Sequence, residues 1–399
     1  MTPLTGTADG RVERPRTVAE AAQVLTGSTG SVLFRGAATQ LDWAGRVPDP
    51  ELVLDTTDLS GVLTHNPGDM TASVRAGTTL TALQDQLAGD GQWLALDPPT
   101  ASAGATLGGL LAAGDSGPSR LRYGGIRDLV IGVTIVLGDG TVARSGGHVI
   151  KNVAGYDLAK LVHGSLGSLA LVAEVVVRLH PRPATSITLS GDADAVQATA
   201  AALALGASPL EPAAVEWASG AAGGRLHVRI DGTAAPVEAA AGSLVRLLAG
   251  LGVTVAPLSE PAAETTWRAH ATATVGSDDE TVLWVAGLPS DLARLANSAE
   301  DAATKAGLEV SLVSSAALGM HTVRLSGGSP QGHAQALTEL RDDALSRGAS
   351  VLLRHRSLEL DGLVDALGPP PTSAPLLRRI KSQFDHAGRC APGRFSPWF

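Results

Sequence analysis

The amino-acid sequence predicts an α+β fold, on three observations. Strand-like segments in the first half of the chain run into loops of small residues. Gly138-Asp139-Gly140 follows a long β-branched segment and is a strong signal for a β-hairpin. From about Ala184 onward, strand-like segments alternate with alanine-rich helical segments, which predicts an antiparallel sheet covered by helices on one side.

Composition limits the kind of protein this can be. With 399 residues and 44% hydrophobic content, the chain can bury a large core and form two or three domains. A net charge of −9 without a Lys/Arg-rich segment argues against nucleic acid or an anionic membrane as partner. The single cysteine, Cys390, excludes an internal disulfide and an iron–sulfur cluster bound by this chain alone. The sequence predicts no signal peptide and no transmembrane segment, so the expected location is the cytoplasm.

Local patterns predict the elements of the first half. Thr17 and Glu20 have the spacing of a capping box, which predicts a helix over 17–25. Three leucines spaced along 80–87 share one helical face, and 107–113 is also predicted to be helical. Strands are predicted at 32–34, 52–54, 71–74, 93–96, 129–137 and 169–180.

The second half of the chain has a different pattern of predicted elements. Predicted strands lie at 215–217, 226–230, 282–285, 322–325 and 351–354. Predicted helices lie at 193–205, 237–248, 292–305 and 334–346. The proline-rich stretch 368–375 is a predicted linker, after which the tail forms a short helix and a loop.

Three loops of small residues follow strand-like segments in the first half. Small side chains let backbone N–H groups converge on an anion, as a diphosphate requires. Neither G-x-G-x-x-G nor G-x-x-x-x-G-K-[ST] is present, so the usual dinucleotide and P-loop signatures are missing. The loops are 35–40 (RGAATQ), 104–109 (GATLGG) and 113–117 (AGDSG).

Further motifs follow these loops at 121–128 (LRYGGIRD), 149–157 (VIKNVAGYD) and 163–168 (HGSLGS). Together with Ala76-Gly77-Thr78 and the hairpin, and in this order, they resemble the FAD-binding domain of the vanillyl-alcohol oxidase type. Within that type, the sequence is most similar to the FAD-binding subunits of bacterial glycolate oxidase. The resemblance covers about residues 14–183 and returns at 384–393.

The resemblance implies how the chain is organised. A FAD-binding domain at 1–183 would consist of two α+β subdomains that grip FAD. A cap or substrate domain with an antiparallel sheet would follow at 184–367, and the C-terminal segment 368–399 would return to the FAD-binding domain. Noncovalent FAD is expected, because the first loop lacks the histidine that tethers flavin in some relatives.

The resemblance also implies which residues contact FAD. The first loop would cradle the diphosphate from one subdomain and the second loop from the other. The implied cofactor-binding residues are Arg35, Gly36, Ala37, Ala38, Thr39, Gly104, Ala105, Thr106, Gly108, Gly109, Ala113, Ser116, Gly117, Tyr123, Arg127, Leu171 and Val172. Gly108→Val is predicted to abolish FAD binding by blocking the backbone's approach to the diphosphate. The family often has Glu where Leu166 stands and Gly where Ala170 stands, so the resemblance is weaker over that stretch.

Three residues are candidates for catalysis. A cation at Lys151 near the flavin would stabilise the reduced anionic ring, and its place in the 149–157 motif favours this over the alternative of an ordinary surface pair with Asn152. Tyr156 could lie near the ring or be an ordinary core residue. His148 is a general base by side-chain type, with a structural role as the alternative.

The cap lacks one feature of catalytic relatives that oxidise D-2-hydroxy acids, namely the G-H-x-G-D-G-N-x-H cluster that binds metal. The nearest stretches, 320–322 and 331–333, do not have ligand spacing, so no metal site is predicted. This absence implies that a homologous partner abstracts the hydride.

The predicted function is that of the FAD-binding subunit of a multi-subunit glycolate oxidase. Its expected partners are a larger homologous flavoprotein and an iron–sulfur subunit, through which the chain could lie at the inner membrane. Two alternatives stay open. One is a self-sufficient FAD-dependent dehydrogenase of another hydroxy acid or alcohol, and the other is a non-catalytic assembly subunit.

Overall fold

The computed structural model describes residues 10–149, 155–220 and 223–399. In these ranges the chain forms two compact units. The first unit contains 10–116, 124–182 and 369–399, and the second contains Gly117–Tyr123 and Pro183–Gly368. No helix in the described ranges is long and apolar enough to cross a membrane.

Gly117–Tyr123 departs from the predicted division, which placed it with the rest of residues 1–183. Hydrogen bonds explain why these residues pack with the second unit. Arg122 Nη1 donates to the Asp231 carbonyl oxygen at 2.5 Å, and Arg229 Nη2 donates to Ser119 Oγ at 2.5 Å.

The first unit begins with a three-stranded parallel sheet of β1 (Arg11–Glu13), β2 (Val32–Arg35) and β3 (Leu52–Asp55), with β3 in the middle. Helix α1 (Val18–Thr26) leads from β1 to β2 and begins at the predicted cap, where Thr17 Oγ1 accepts a hydrogen bond from Glu20 N at 3.1 Å. Buried Ala21 and Leu25 pack this helix on the sheet.

A second, antiparallel sheet completes the framework of the first unit. Its strand order is β4-β5-β9-β7-β8, and β6 pairs separately with β10, where the strands are β4 (Val62–Asn66), β5 (Thr71–Arg75), β6 (Gln92–Trp93), β7 (Val130–Val136), β8 (Val142–Gly146), β9 (Leu171–Arg178) and β10 (His180–Pro181). The predicted hairpin joins β7 to β8, and Gly140 takes the positive φ of +89° that such a turn needs. Of the strand predicted at 93–96, only Trp93 is paired.

Short helices connect these strands. The remaining helices of the first unit are α2 (Leu80–Leu87), α3 (Leu107–Ala113), α5 (Ile126–Leu129), α6 (Leu158–Val162) and α12 (Ala374–Phe384), whereas α4 (Arg120–Tyr123) belongs to the second unit.

The second unit is an eight-stranded antiparallel sheet with helices. Its strands are β11 (Thr185–Asp192), β12 (Ala214–Ala218), β13 (Arg225–Gly232), β14 (Ala256–Pro257), β15 (Thr281–Ala286), β16 (Glu309–Ser315), β17 (Met320–Ser326) and β18 (Ser350–His355), in the order β14-β11-β13-β12-β16-β17-β15-β18. Its long helices are α7 (Ala195–Gly206), α8 (Ala234–Gly250), α9 (Glu260–Ala273), α10 (Leu292–Ala306) and α11 (Pro330–Ser346). The α+β class with an antiparallel cap sheet is therefore confirmed.

One helix lies on the face of this sheet that was predicted to be bare. Neighbouring residues of a strand point to opposite faces. Trp217 of β12 lies in the apolar core with α7, α8, α10 and α11. Glu216, on the other face, is bonded to His270 of α9, and Trp267 of α9 donates to Thr188 of β11. The prediction that helices cover only one side is thus wrong.

Candidate functional site

The first small-residue loop leaves β2 with its backbone amides unused. The N–H groups of Gly36, Ala37, Ala38 and Thr39 donate no hydrogen bond to any described residue. Ala38 has a left-handed backbone, φ +61°, which turns the chain within the loop. Consecutive N–H groups arranged around such a turn form an anion-binding concavity. The loop therefore offers the type of backbone surface that a diphosphate needs.

The second loop approaches the first but uses its amides internally. Leu107 N donates to Thr78 O at 3.0 Å, and Gly108 N donates to Ala76 O at 2.8 Å. Gly109 N donates to the side chain of Thr106, which caps α3. The resemblance implies that both loops offer amides to the diphosphate. At these three positions the second loop presents small side chains and an occupied helix start instead.

Glycine at position 36 permits the close approach of the two loops. A Cβ atom at Gly36 would lie 2.3 Å from Thr106 Oγ1, well inside van der Waals contact. A Cβ at Gly109 would lie 3.2 Å from the same atom. The two loops can pack this closely only without a side chain at position 36, whereas Gly109 leaves room for the Thr106 side chain within the second loop.

Both loops line one cleft, which encloses about 660 Å³ of space open to solvent. All of its lining residues belong to the first unit. They are Phe34, Arg35, Gly36, Ala37, Ala38, Thr39, Gln40, Leu41, Thr56, Thr106, Gly108, Gly109, Ala112, Ala113, Leu166, Gly167, Ala170, Leu171, Val172 and Arg394.

A buried polar network fixes the first loop. Gln40 Nε2 donates to Thr100 Oγ1 at 3.0 Å and to Asp115 Oδ2 at 3.3 Å. Thr100 Oγ1 also donates to Asp115 Oδ2 at 2.7 Å, and Thr39 Oγ1 donates to Gln40 Oε1 at 2.8 Å. Asp115 is 1% exposed. Because buried polar groups are costly to leave unpaired, this network holds the loop in one position.

The side chain of Arg35 forms an ion pair within the protein. Its Nη2 donates to Asp55 Oδ2 at 2.9 Å. Burial by itself raises the pKa of Asp55, but hydrogen bonds from Thr57 and Arg35 outweigh burial and lower that pKa below its ordinary value. Asp55 is therefore a carboxylate that neutralises Arg35, and Arg35 contributes to the cleft mainly as the residue where the loop begins.

Most of the predicted cofactor-binding residues meet at this cleft. Arg35, Gly36, Ala37, Ala38, Thr39, Thr106, Gly108, Gly109, Ala113, Leu171 and Val172 all line it. Gly104, Ala105 and Ser116 are not among the lining residues, and Ala105 is fully buried. Gly117 and Tyr123 belong to the second unit, where the Arg122 guanidinium lies over the Tyr123 ring. Arg127 is an exposed residue of α5.

Neither of the two catalytic candidates in the described ranges, His148 and Tyr156, is among the residues that line the cleft. Lys151, with Asn152, lies outside the described residues. His148 Nδ1 contacts Thr71 Oγ1 at 2.9 Å. Thr71 pairs with the far end of β9, roughly 20 Å from the cleft-lining Leu171 at ~3.3 Å per residue. Tyr156 is 91% exposed and is not part of a core.

Two parts of the cleft lining were not predicted from the sequence, namely the stretch before β9 and one residue near the C-terminus. Leu166, Gly167 and Ala170 line the cleft between α6 and β9, although two of them differ from the family pattern. Leu166 takes a positive φ of +50°, a conformation in which glycine is the usual residue. Arg394 lines the cleft as well, and no local pattern near it predicted this.

Comparisons with known proteins agree with this geometry. Residues 11–146 match the family described as FAD binding domain. The chain is 40% identical over 136 residues to glycolate oxidase subunit GlcE of Escherichia coli strain K12, covering 34% of this chain and 39% of that protein. It is 31% identical over 207 residues to glycolate oxidase subunit GlcD of Bacillus subtilis strain 168, covering 51% of this chain and 44% of that protein. The chain thus spans less than half the length of these relatives.

The fold is also that of known flavoproteins. A crystal structure of p-cresol methylhydroxylase with substrate bound superposes with a TM-score of 0.75 at 16% sequence identity. The match covers 96% of this chain and 88% of that chain. The resemblance to glycolate oxidase subunits is confirmed by these findings. Residues 11–146 match an FAD binding domain, and the chain has the fold of the vanillyl-alcohol oxidase type of flavoprotein.

Proposed function

We propose that this chain is the FAD-binding subunit of a multi-subunit oxidoreductase that oxidises a 2-hydroxy acid, with glycolate as its leading substrate. The observation that carries the proposal is the loop Gly36–Thr39. It lies inside the matched FAD binding domain and has four amides without an internal acceptor. The similarity to two glycolate oxidase subunits supports the substrate class.

The residues of the cleft have separate tasks in this proposal. The amides of Gly36–Thr39 would donate to the diphosphate oxygens of FAD, and the Gln40 network keeps them converged. The small side chains of Ala112, Ala113 and Ala170 leave room along the cleft. FAD, when bound, supplies the acceptor for electrons from the α-carbon of the hydroxy acid.

Noncovalent binding of FAD is part of the proposal. A structural relative, a glucooligosaccharide oxidase from Acremonium strictum, is described as carrying a 6-S-cysteinyl, 8α-N1-histidyl FAD. None of the residues that line the cleft here is a cysteine or a histidine. We expect acid precipitation of the holoprotein to leave all of the yellow colour in the supernatant. Colour retained in the protein pellet would contradict this.

The proposed partners follow from the need for a protein that accepts electrons from the reduced flavin. Cys390 is fully buried, and burial together with nearby Asp385 raises its pKa to about 12, which disfavours the thiolate form. A chain with this one cysteine needs another protein to carry iron–sulfur centres. We therefore propose an iron–sulfur subunit and a larger homologous flavoprotein as partners. The exposed Tyr156 is our candidate for a contact with a partner or a substrate.

The decisive experiment compares the chain alone with the chain co-purified with its candidate partners. We expect the complex to reduce a dye with glycolate, and the lone chain to bind FAD but to turn over glycolate poorly. A Gly36→Val variant, unable to bring the two loops together, should lower turnover of the complex. Full turnover by the lone chain would indicate a self-sufficient dehydrogenase. A colourless lone chain that the complex still requires would indicate an assembly role. A complex that loses nothing when the chain is omitted would contradict the proposal.

A further inference from the structure

The C-terminal residues 381–394, which we call the clasp, contact one wall of the cleft through Lys381. The Lys381 ammonium donates to the carbonyl oxygen of Ser168 at 2.7 Å and to that of Cys390 at 2.8 Å, and it pairs with Asp385 at 2.5 Å. Ser168 directly follows the cleft-lining Gly167. All three protons of the ammonium have acceptors, so this side chain has one defined position.

The middle of the clasp extends the parallel sheet beside β2. Val32 N donates to Arg389 O, and Ala391 N donates back to Val32 O, both at 2.8 Å. The Arg389 guanidinium also donates to the carbonyl oxygens of Gly30 at 2.7 Å and Gly138 at 2.6 Å. Strand β2 leads straight into the first loop, so the clasp is anchored on the strand that carries that loop.

The end of the clasp contacts a second part of the cleft lining. Arg394 is 3% exposed and lines the cleft. Its Nη1 donates to three carbonyl oxygens of the chain that follows the first loop, those of Leu41 at 2.7 Å, Trp43 at 3.0 Å and Gly45 at 2.9 Å. Gly45 N returns a hydrogen bond to Arg394 O at 2.9 Å.

We propose that residues 381–394 are a clasp that holds the two walls of the FAD cleft at a fixed separation, with Lys381 and Arg394 as positioning residues. The inference rests on the proposed FAD site. Without the Arg394 guanidinium, three carbonyl groups lose their donor and the Leu41–Gly45 segment is released. The Gln40 network then holds the first loop without support from the chain that follows it, so the amides of Gly36–Thr39 are less well fixed. FAD affinity falls because the loop must be ordered more fully on binding.

The test measures FAD binding to the apoproteins of two variants by quenching of flavin fluorescence. Arg394→Ala should weaken FAD binding by about tenfold or more, since a misplaced contact in a preorganised site costs on this order. Arg379→Gln, an exposed arginine of α12, is the matched control and should bind FAD within about twofold of wild type. Added guanidinium ion should restore affinity to Arg394→Ala, whereas urea, which is neutral and similar in shape, should not.

A double-mutant cycle separates a clasp from two independent contacts. Lys381→Met and Arg394→Lys are combined, and the free energies of FAD binding are compared with those of the single variants. Two sites that act independently give additive losses, whereas sites coupled through one segment do not. Additive losses, or unchanged FAD affinity in Arg394→Ala, overturn the clasp. Arg394→Lys keeps a charge, so it tests the proposal even if the alanine variant does not fold.

The outcomes distinguish the clasp from the proposed function. A wild-type protein that binds no FAD removes the proposed function, and the clasp with it. A wild-type protein that binds FAD, with variants that bind it equally well, removes only the clasp. The apoprotein melting temperature is recorded for each variant, and guanidinium rescue of affinity without a change in that temperature is the result that a merely structural role would not give.

Discussion

Single residues in the cleft have backbones that cost free energy. Ala38 and Leu166 both have positive φ, +61° and +50°. A left-handed conformation costs a non-glycine residue about 1–2 kcal/mol. Strained residues of this kind persist where the surrounding structure holds them, and they cluster at functional sites. Both residues line the proposed diphosphate cleft, which matches that pattern.

Ala38→Gly tests this strain. Glycine adopts positive φ freely, so the variant should keep FAD affinity and leave the free energy of unfolding unchanged or raised by up to about 1 kcal/mol. Ala37, next to it, does not have a positive φ, so Ala37→Gly should lower stability by about 0.5–1 kcal/mol. Urea unfolding of the two apoproteins makes the comparison. Equal losses in both would contradict a strained Ala38.

The structure gives a reason for glycine at position 108 that differs from the predicted approach of the backbone to the diphosphate. A Cβ there would lie 2.8 Å from Ala76 Cβ and 3.2 Å from Ala76 O, on the side of α3 that packs against the protein. Gly108→Val should therefore lower apoprotein stability by about 1–3 kcal/mol through overpacking. Thermal melting without FAD measures this. A Val variant with wild-type apoprotein stability but no FAD binding would restore the original explanation.

At the scale of elements, the cap sheet carries polar strands that the sequence did not reveal. Strands β11 and β16 are rich in Ser and Thr, and they were not predicted because strand signals rest on apolar alternation. Helix α9 explains part of this polarity. It brings His270 against Glu216 at 2.8 Å, and Ser315 Oγ of β16 donates to the same carboxylate at 3.0 Å. A polar face is stable here because its groups bond to one another.

Buried histidines of this sheet predict acid sensitivity. Burial lowers the pKa of His321 from 6.5 to about 4, and nearby Arg347 lowers it further, against the effect of Asp291. The unfolded chain therefore binds the proton first as pH falls. Above about pH 6.5, His321 is neutral in both states and the free energy of unfolding is unaffected by it. As pH falls from about 6.5 toward about 4, the free energy of unfolding decreases, and the loss at about pH 5 is about 2 kcal/mol.

His321→Asn should flatten this dependence, because asparagine keeps a partner for Ser314 Oγ and does not titrate. Urea unfolding at about pH 7 and about pH 5 measures the difference. The exposed His386 provides the control, and His386→Asn should leave the dependence of wild type unchanged. A His321→Asn protein that loses as much stability in acid as wild type would refute the assignment.

At the scale of the whole molecule, the cleft is assembled from parts that are far apart in sequence. The first loop, α3, the stretch before β9 and Arg394 meet in the first unit. Loop amides without internal acceptors open easily until a ligand binds them. Bound FAD should therefore slow amide hydrogen exchange in specific segments rather than in the whole chain.

Hydrogen exchange with and without FAD tests this distribution. Protection should rise most at 35–40 and 166–172, because their backbone lines the cleft. The helices α10 and α11 of the second unit, whose amides are already internally bonded, serve as the internal control. Uniform protection of both units, or none in the first loop, would show that FAD binds elsewhere.

The sequence by itself determined the features that depend on local chemistry. The Thr17 cap, the Gly140 turn and the small residues at 35–40 and 104–109 each need one residue type at one backbone position, and such requirements can be recognised in a linear chain. Only the tertiary structure decided which amides stay free. Those of Gly108 and Gly109 are taken by Ala76 and Thr106, whereas those of Gly36–Thr39 find no acceptor. It also decided that Arg394 lines the cleft and that α9 covers the second face of the cap sheet, because long-range packing leaves no periodic trace in the sequence.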